Sequence, residues 1–107
     1  MYMSAKAETL PSPPMGHIEA CELLKAMSNE TRLMILCRLL DGEKTVGELE
    51  SVTSISQSAI SQHLAVLRGH NLVSTRREGQ SIIYALTGDK PLAIIKVLHR
   101  IYSGTCD

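Results

Sequence analysis

With 107 residues, the chain has room for one domain and a modest core, not for two. No apolar run is long enough to cross a bilayer and the N-terminus lacks the charged-then-apolar pattern of a secretory signal, which points to the cytoplasm and to reduced thiols. Eleven Lys and Arg balance eleven Asp and Glu, so no global charge draws the chain to nucleic acid, and the absence of Trp and Phe removes the stacking platform of a single-strand or RNA binder.

Residues 1–14 contain Pro11, Pro13 and Pro14 with little hydrophobic pattern, the composition of a disordered tail. The ordered domain is expected over residues 15–107. A first helix is predicted over residues 15–27, with Ile18, Cys21, Leu24 and Lys25 at helical spacing. Ser28-Asn29-Glu30 interrupts it, and Asn29 or Ser28 caps a second helix over residues 30–40. Its stripe is Leu33, Leu36, Cys37 and Leu40, and Asp41-Gly42 ends it. Thr45 and Glu48 then have the spacing of a capping box, in which hydroxyl and carboxylate each satisfy a free backbone N–H. The short helix they open places Val46, Leu49 and Val52 together. Ser54 or Ser56 caps the next helix, where Ile60, Leu64 and Leu67 recur at i, i+4 and i+7.

The other side of that helix carries the chemistry. Gln57, Ser58, Ser61, Gln62 and His63 include no acid, and each can donate or accept a hydrogen bond. A solvated helix face ordinarily carries Glu and Lys; this one suits base edges and phosphates in a major groove. One helix alone does not exclude an ordinary polar surface. Residues 72–86 strengthen the case, because they read as a hairpin: Val73 and Thr75 lead in, Glu78-Gly79-Gln80 turns, and Ile82, Ile83 and Tyr84 lead out. Arg76 and Arg77 flank its tip. A helix-turn-helix followed by a basic hairpin is a winged helix, mainly α with a small β-hairpin, in the order α-α-α-α-β-β-α. Its second helix would enter the major groove, with the wing on the backbone or in the adjacent minor groove. The charge distribution agrees. Residues 19–50 hold seven acids against four bases, whereas residues 51–86 hold Arg68, Arg76 and Arg77 against Glu78 alone, with His63 and His70 in addition. This basic excess is small, so useful affinity for double-stranded operator DNA requires two copies.

Thr87-Gly88-Asp89 resets the chain. Pro91 falls in the first turn of a last helix running to about residue 102, with Ile94, Ile95, Leu98, Ile101 and Tyr102 inside. Leu92, Ala93 and Val97 extend the apolar surface beyond one face, and such a helix needs two partners: its own core and, we expect, a second subunit. A two-fold homodimer through the first and last helices would set two recognition helices about one DNA turn apart, ~34 Å.

The stretches LLKAMSNETRLMILCRLL, TVGELE, SQSAISQHLAVLR and LVSTRREGQSIIYAL resemble the ArsR family of small dimeric winged-helix repressors over residues 15–102. Ile35-Leu36-Cys37, with a C-terminal Cys after LHRIY, resembles the BigR, SqrR, YgaV and HlyU branch, whose dithiol repressors respond to reactive sulfur species. The resemblance implies DNA contacts from Gln57, Ser58, Ser61 and His63, helped by the wing arginines; Gln62 and Arg68 join them by position on the same helix. It also implies that Cys37 and Cys106 form the redox-sensing pair, that low-molecular-weight persulfides are its partner, and that no cofactor is held. Two metal-sensing patterns of the family are incomplete. A Cys-x-Cys is replaced by VGELES, and of a four-ligand site on the last helix only Asp89 and His99 survive, with Pro91 and Tyr102 at the other two positions.

By residue type alone, Cys37 on an apolar stripe reads as an inert core thiol. Cys106, beyond the last helix, has no core position to explain it. In the mechanism implied, one thiolate takes sulfane sulfur from a persulfide and the other closes the bridge. A direct disulfide needs Cα atoms about 4.4–6.8 Å apart, a limit that intervening sulfur atoms relax. Cys21 stays open as a spectator, an intersubunit thiol, or a third ligand with Cys37 and Cys106 for a soft metal. The alternatives are a metal(loid)- or general oxidant-responsive repressor, and a DNA-binding antirepressor without sensing. An enzyme is disfavoured, because His63 and His99 lie on separate helices with no oxyanion site, phosphate loop or metal triad beside them.

Overall fold

Three side-chain caps start the helices that matter. Asn29 Oδ1 accepts from Arg32 N–H at 3.0 Å. Glu48 N–H donates to Thr45 Oγ1 at 3.1 Å while Thr45 N–H donates to Glu48 Oε1 at 2.8 Å, the reciprocal box expected. Ser56, rather than Ser54, accepts from Ala59 N–H at 3.2 Å. The structure, a computed structural model, describes residues 16–103. The tail read over residues 1–14 and Cys106 lie outside the described residues. The elements are α1 (His17–Met27), α2 (Glu30–Leu39), β1 (Lys44–Thr45), α3 (Val46–Glu50), α4 (Gln57–Gly69), β2 (Val73–Glu78), β3 (Ser81–Leu86) and α5 (Lys90–Ser103).

The strand β1 was not anticipated. It is two residues long, too short to show alternation, and it pairs antiparallel with β3 through Lys44 opposite Tyr84 and Thr45 opposite Ile83. The sheet order is therefore β1-β3-β2. Thr45 serves twice, closing the sheet edge and capping α3. The hairpin turn is also tighter than expected. Glu78 belongs to β2, opposite Ser81, which leaves Gly79-Gln80 as the turn. Gly79 has φ 64°, a conformation that a two-residue hairpin loop takes readily with glycine in its first position. At the other end, Asn71 (φ 61°) follows α4, and Leu72 N–H donates to Leu67 O at 2.9 Å. This left-handed exit turns the recognition helix directly into the wing.

Ile35 and Leu36 of α2, Leu49 of α3, Ile60, Leu64 and Leu67 of α4, and Ile95 of α5 are fully buried. The stripe of α4 thus faces inward as its spacing indicated. Other stripes do not. On α1, Ile18 is 68% and Leu24 57% exposed, Cys21 and Lys25 are exposed, and Leu23, Ala26 and Met27 face the core instead. On α5, Ile95 is buried and Ile94 and Leu98 are half-buried, but Ile101 and Tyr102, expected inside, point outward at 61% and 82% exposure. Val52 is exposed because α3 stops at Glu50, before the turn that would have carried it inward. The chain consequently shows apolar side chains on α1 and α5 that its own core does not use.

Candidate nucleic-acid interface and thiol pocket

Gln57, Ser58, Ser61, Gln62 and Arg68 are exposed on α4, off the buried stripe of Ile60, Leu64 and Leu67. The first turn holds no acid. Ser58 Oγ lies 3.2 Å from Ser56 Oγ, so the cap also steadies this hydroxyl. His63 stands apart from the group. It follows Ser61 by two residues and is therefore rotated roughly 200° around the helix. It is half-buried, with Nδ1 3.4 Å from Nη1 of Arg32. Arg32 Nε donates to the Ala26 carbonyl at 2.6 Å and Nη2 to the Lys25 carbonyl at 3.4 Å. One guanidinium thus joins the carbonyl end of α1, the start of α2 and the middle of α4, in a position that also suits the negative end of the α1 dipole. Residue type groups His63 with the exposed polar side chains; the structure leaves it half-buried beside Arg32.

The two wing arginines differ. Arg76 Nη2 lies 2.7 Å from Glu43 Oε1 and Nη1 lies 3.1 Å from Glu78 Oε2. The hydrogen bond from Arg76 holds the Glu43 carboxyl below its ordinary range, and the two carboxylates make Arg76 still harder to deprotonate. Arg77 and Arg68 are exposed and make no ion pair with any described residue.

A second site lies between α2 and α5. Cys37 is half-buried, and its Sγ is 3.4 Å from Nε2 of His99. Both border an open pocket of about 360 Å³, completed by Leu33, Ile95, Leu98, Tyr102 and Ser103. Burial pushes the Cys37 thiol above its ordinary 9.0, outweighing the opposite pull of Arg38. The contact with His99 spans 62 residues in sequence and depends on how α2 packs on α5, so spacing held no sign of it. Cys21 lies on the outer surface of α1, away from this lining. Among the described residues, no group of three or more His, Cys, Asp or Glu is gathered to hold a metal. No helix among them is long and apolar enough to cross a membrane.

The sequence profile of the bacterial regulatory protein, arsR family, matches residues 29–75, from the cap of α2 into the first wing strand. The transcriptional activator HlyU of Vibrio cholerae serotype O1 is 48% identical over 101 residues, covering 94% of each chain. The chain belongs to the ArsR family. Among its ArsR-family relatives, the biofilm growth-associated repressor of Agrobacterium fabrum is 42% identical over 93 residues, covering 87% of this chain and 80% of that one. The structure of reduced HlyU from Vibrio cholerae N16961 superposes with a TM-score of 0.77 at 55% identity, covering 80% of this chain and 90% of that one. The protein is therefore an ArsR-family transcriptional regulator with a winged helix-turn-helix, in which α3 and α4 form the helix pair and β2 and β3 the wing.

Proposed function

We propose that this regulator is a dimeric repressor, bound to operator DNA through α4 and the wing, and released when Cys37 and Cys106 are joined by a di- or polysulfide bridge formed with reactive sulfur species. The observation that carries the reading is the Cys37 thiol in an open pocket that Ser103 also lines, three residues before Cys106 in the sequence. Three extended residues span roughly 10 Å, enough to return a thiol to that pocket. That one solved relative is described as reduced HlyU supports redox state as a variable of that protein.

The chemistry balances without an added oxidant. Cys37 attacks the outer sulfur of a persulfide RSSH, which leaves as RSH, and Cys37 becomes a persulfide. Cys106 attacks Cys37 Sγ and expels hydrogen sulfide, closing a disulfide. If Cys106 is itself persulfidated first, the same displacement closes a trisulfide. The persulfide is the species reduced. The bridge would tie the end of α5 to α2, whose Arg32 reaches α4 through His63. A coupling of about 1–3 kcal/mol along this route corresponds to a 5- to 150-fold change in operator affinity.

Gln57, Ser58, Ser61 and Gln62 would meet base edges and phosphates, with Arg68, Arg77 and Arg76 on the backbone; His63 would serve by holding α4 in place. The exposed apolar surfaces of α1 and α5 fit a two-fold interface, and a cytoplasmic location suits a DNA partner. The test uses an operator selected from a random duplex pool. Wild-type protein should dissociate from it on adding glutathione persulfide, while Cys37→Ser should bind equally well and stay bound. A Cys37→Ser protein that dissociates like wild type would remove the sensing role. The relative named as an activator favours a second reading, in which the chain occupies DNA only to displace another regulator. That reading expects wild type to remain bound as well.

A further inference from the structure

Cys37 presents a chemical problem. A thiol is a poor nucleophile until its proton leaves, and burial pushes this one toward its protonated form. Among the described residues, the imidazole in contact with the thiol is the candidate acceptor. His99 Nε2 lies 3.4 Å from Sγ. In the tautomer that carries its proton on Nδ1, Nε2 has a lone pair directed at the thiol. The rest of the lining is Leu33, Ile95, Leu98, Tyr102 and Ser103, with no carboxylate among the described residues. Arg38, next to Cys37 on α2, exerts an opposing charge on the thiol and is exposed, as is Arg100, next to His99 in sequence on α5.

We infer that His99 is the catalytic base of the sulfur-sensing reaction: Cys37 and His99 form a thiol–imidazole dyad that reacts with small sulfane-sulfur donors entering the pocket. The inference rests on the reading of Cys37 as the responsive thiol. In the step assigned to the dyad, the Cys37 proton passes to His99 Nε2 as Sγ bonds the outer sulfur of the persulfide. The sulfur–sulfur bond of the persulfide breaks, and its inner sulfur leaves as a thiolate that takes the proton back from the imidazolium. No external oxidant or reductant is required. The dyad explains how a thiol with a raised pKa can react at neutral pH. Base catalysis of this kind typically contributes about 10²–10⁴-fold.

The test is the pH profile of Cys37 alkylation by iodoacetamide in the full-length chain, read on the Cys37 peptide by mass spectrometry. Here the proton again moves to Nε2, Sγ bonds the methylene carbon, and iodide leaves. Wild type should show two limbs, a lower one that depends on the dyad and one from the thiol itself above 9.0. His99→Gln should lose the lower limb and react at least about tenfold more slowly at pH 7.5, while keeping the upper limb. A single limb above 9.0 in wild type would overturn the assignment without reference to any variant, as would an unchanged profile in His99→Gln. The probe needs neither a persulfide nor Cys106. Failure of the bridge with an intact two-limbed profile therefore falls on the proposed function alone, and loss of the limb with an intact bridge falls on the dyad alone.

Discussion

A thiol packed among Leu33, Ile95 and Leu98 exchanges water for hydrocarbon, and its charged form loses most by the exchange. Because the folded pKa of Cys37 lies above its ordinary 9.0, the group contributes stability that is complete below pH 9.0 and is lost as pH rises through the folded value. Urea unfolding at pH 8 and pH 10 should show a steeper loss for wild type than for Cys37→Ser; equal losses would place the thiol in water. The wing carries the opposite sign. Glu43, depressed by its bond from Arg76, keeps the pair ionised above its ordinary 4.5 and releases Arg76 only as pH falls through the lower folded value. Carbon-detected NMR titration of Glu43 should give a midpoint below 4.5 that returns to about 4.5 in Arg76→Gln. Both effects depend on neighbours remote in the chain, Ile95 for Cys37 and Arg76 for Glu43, and so neither was readable from residue spacing.

Among the elements, α4 was the most legible. Its cap, its inward stripe and its polar side all follow from repeats of three or four residues, and nothing distant intervenes. The unreadable part was the partner that each side chain meets. His63 resembles Gln62 in hydrogen-bonding capacity and its spacing gives its azimuth, but that Arg32 waits there is revealed only by the packing of α2 beside α4. The two residues should therefore fail differently. Gln57→Ala or Ser61→Ala is expected to relax operator specificity by about 1–3 kcal/mol per lost base contact while leaving thermal stability alone. His63→Ala is expected to lower the melting temperature and weaken all duplexes alike. Calorimetry beside binding to matched and scrambled duplexes separates the cases; a specificity change in His63→Ala would return that side chain to the groove. On the wing, Arg77→Gln should weaken binding to every sequence and reduce the salt slope by about 1. The strand β1 escaped sequence reading for a different reason: two residues carry no period, and its existence depends on the edge that β3 offers.

At the scale of the molecule, α1 and α5 carry apolar residues on their outer as well as their inner sides, which let spacing identify them as helices without deciding which side is inner. The core takes Ala26, Met27 and Ile95, and the remainder, Ile18, Leu24, Val97, Ile101 and Tyr102, stays in solvent in one protomer. In the proposed dimer this exposed apolar surface is the interface. Leu24→Glu with Ile101→Glu should shift sedimentation from dimer to monomer and abolish specific DNA binding together; specific binding by a monomer would contradict the two-copy requirement. In the dimeric account, the thiol pocket, the Arg32–His63 contact and the recognition helix form one route from sulfur chemistry to DNA. The most direct test is the intact mass of the unreduced chain after glutathione persulfide, with digestion to locate any link. The expected result is one cross-linked peptide joining Cys37 to Cys106, with or without added sulfur, appearing as the protein leaves its operator. Release from the operator with Cys37 unmodified would contradict it.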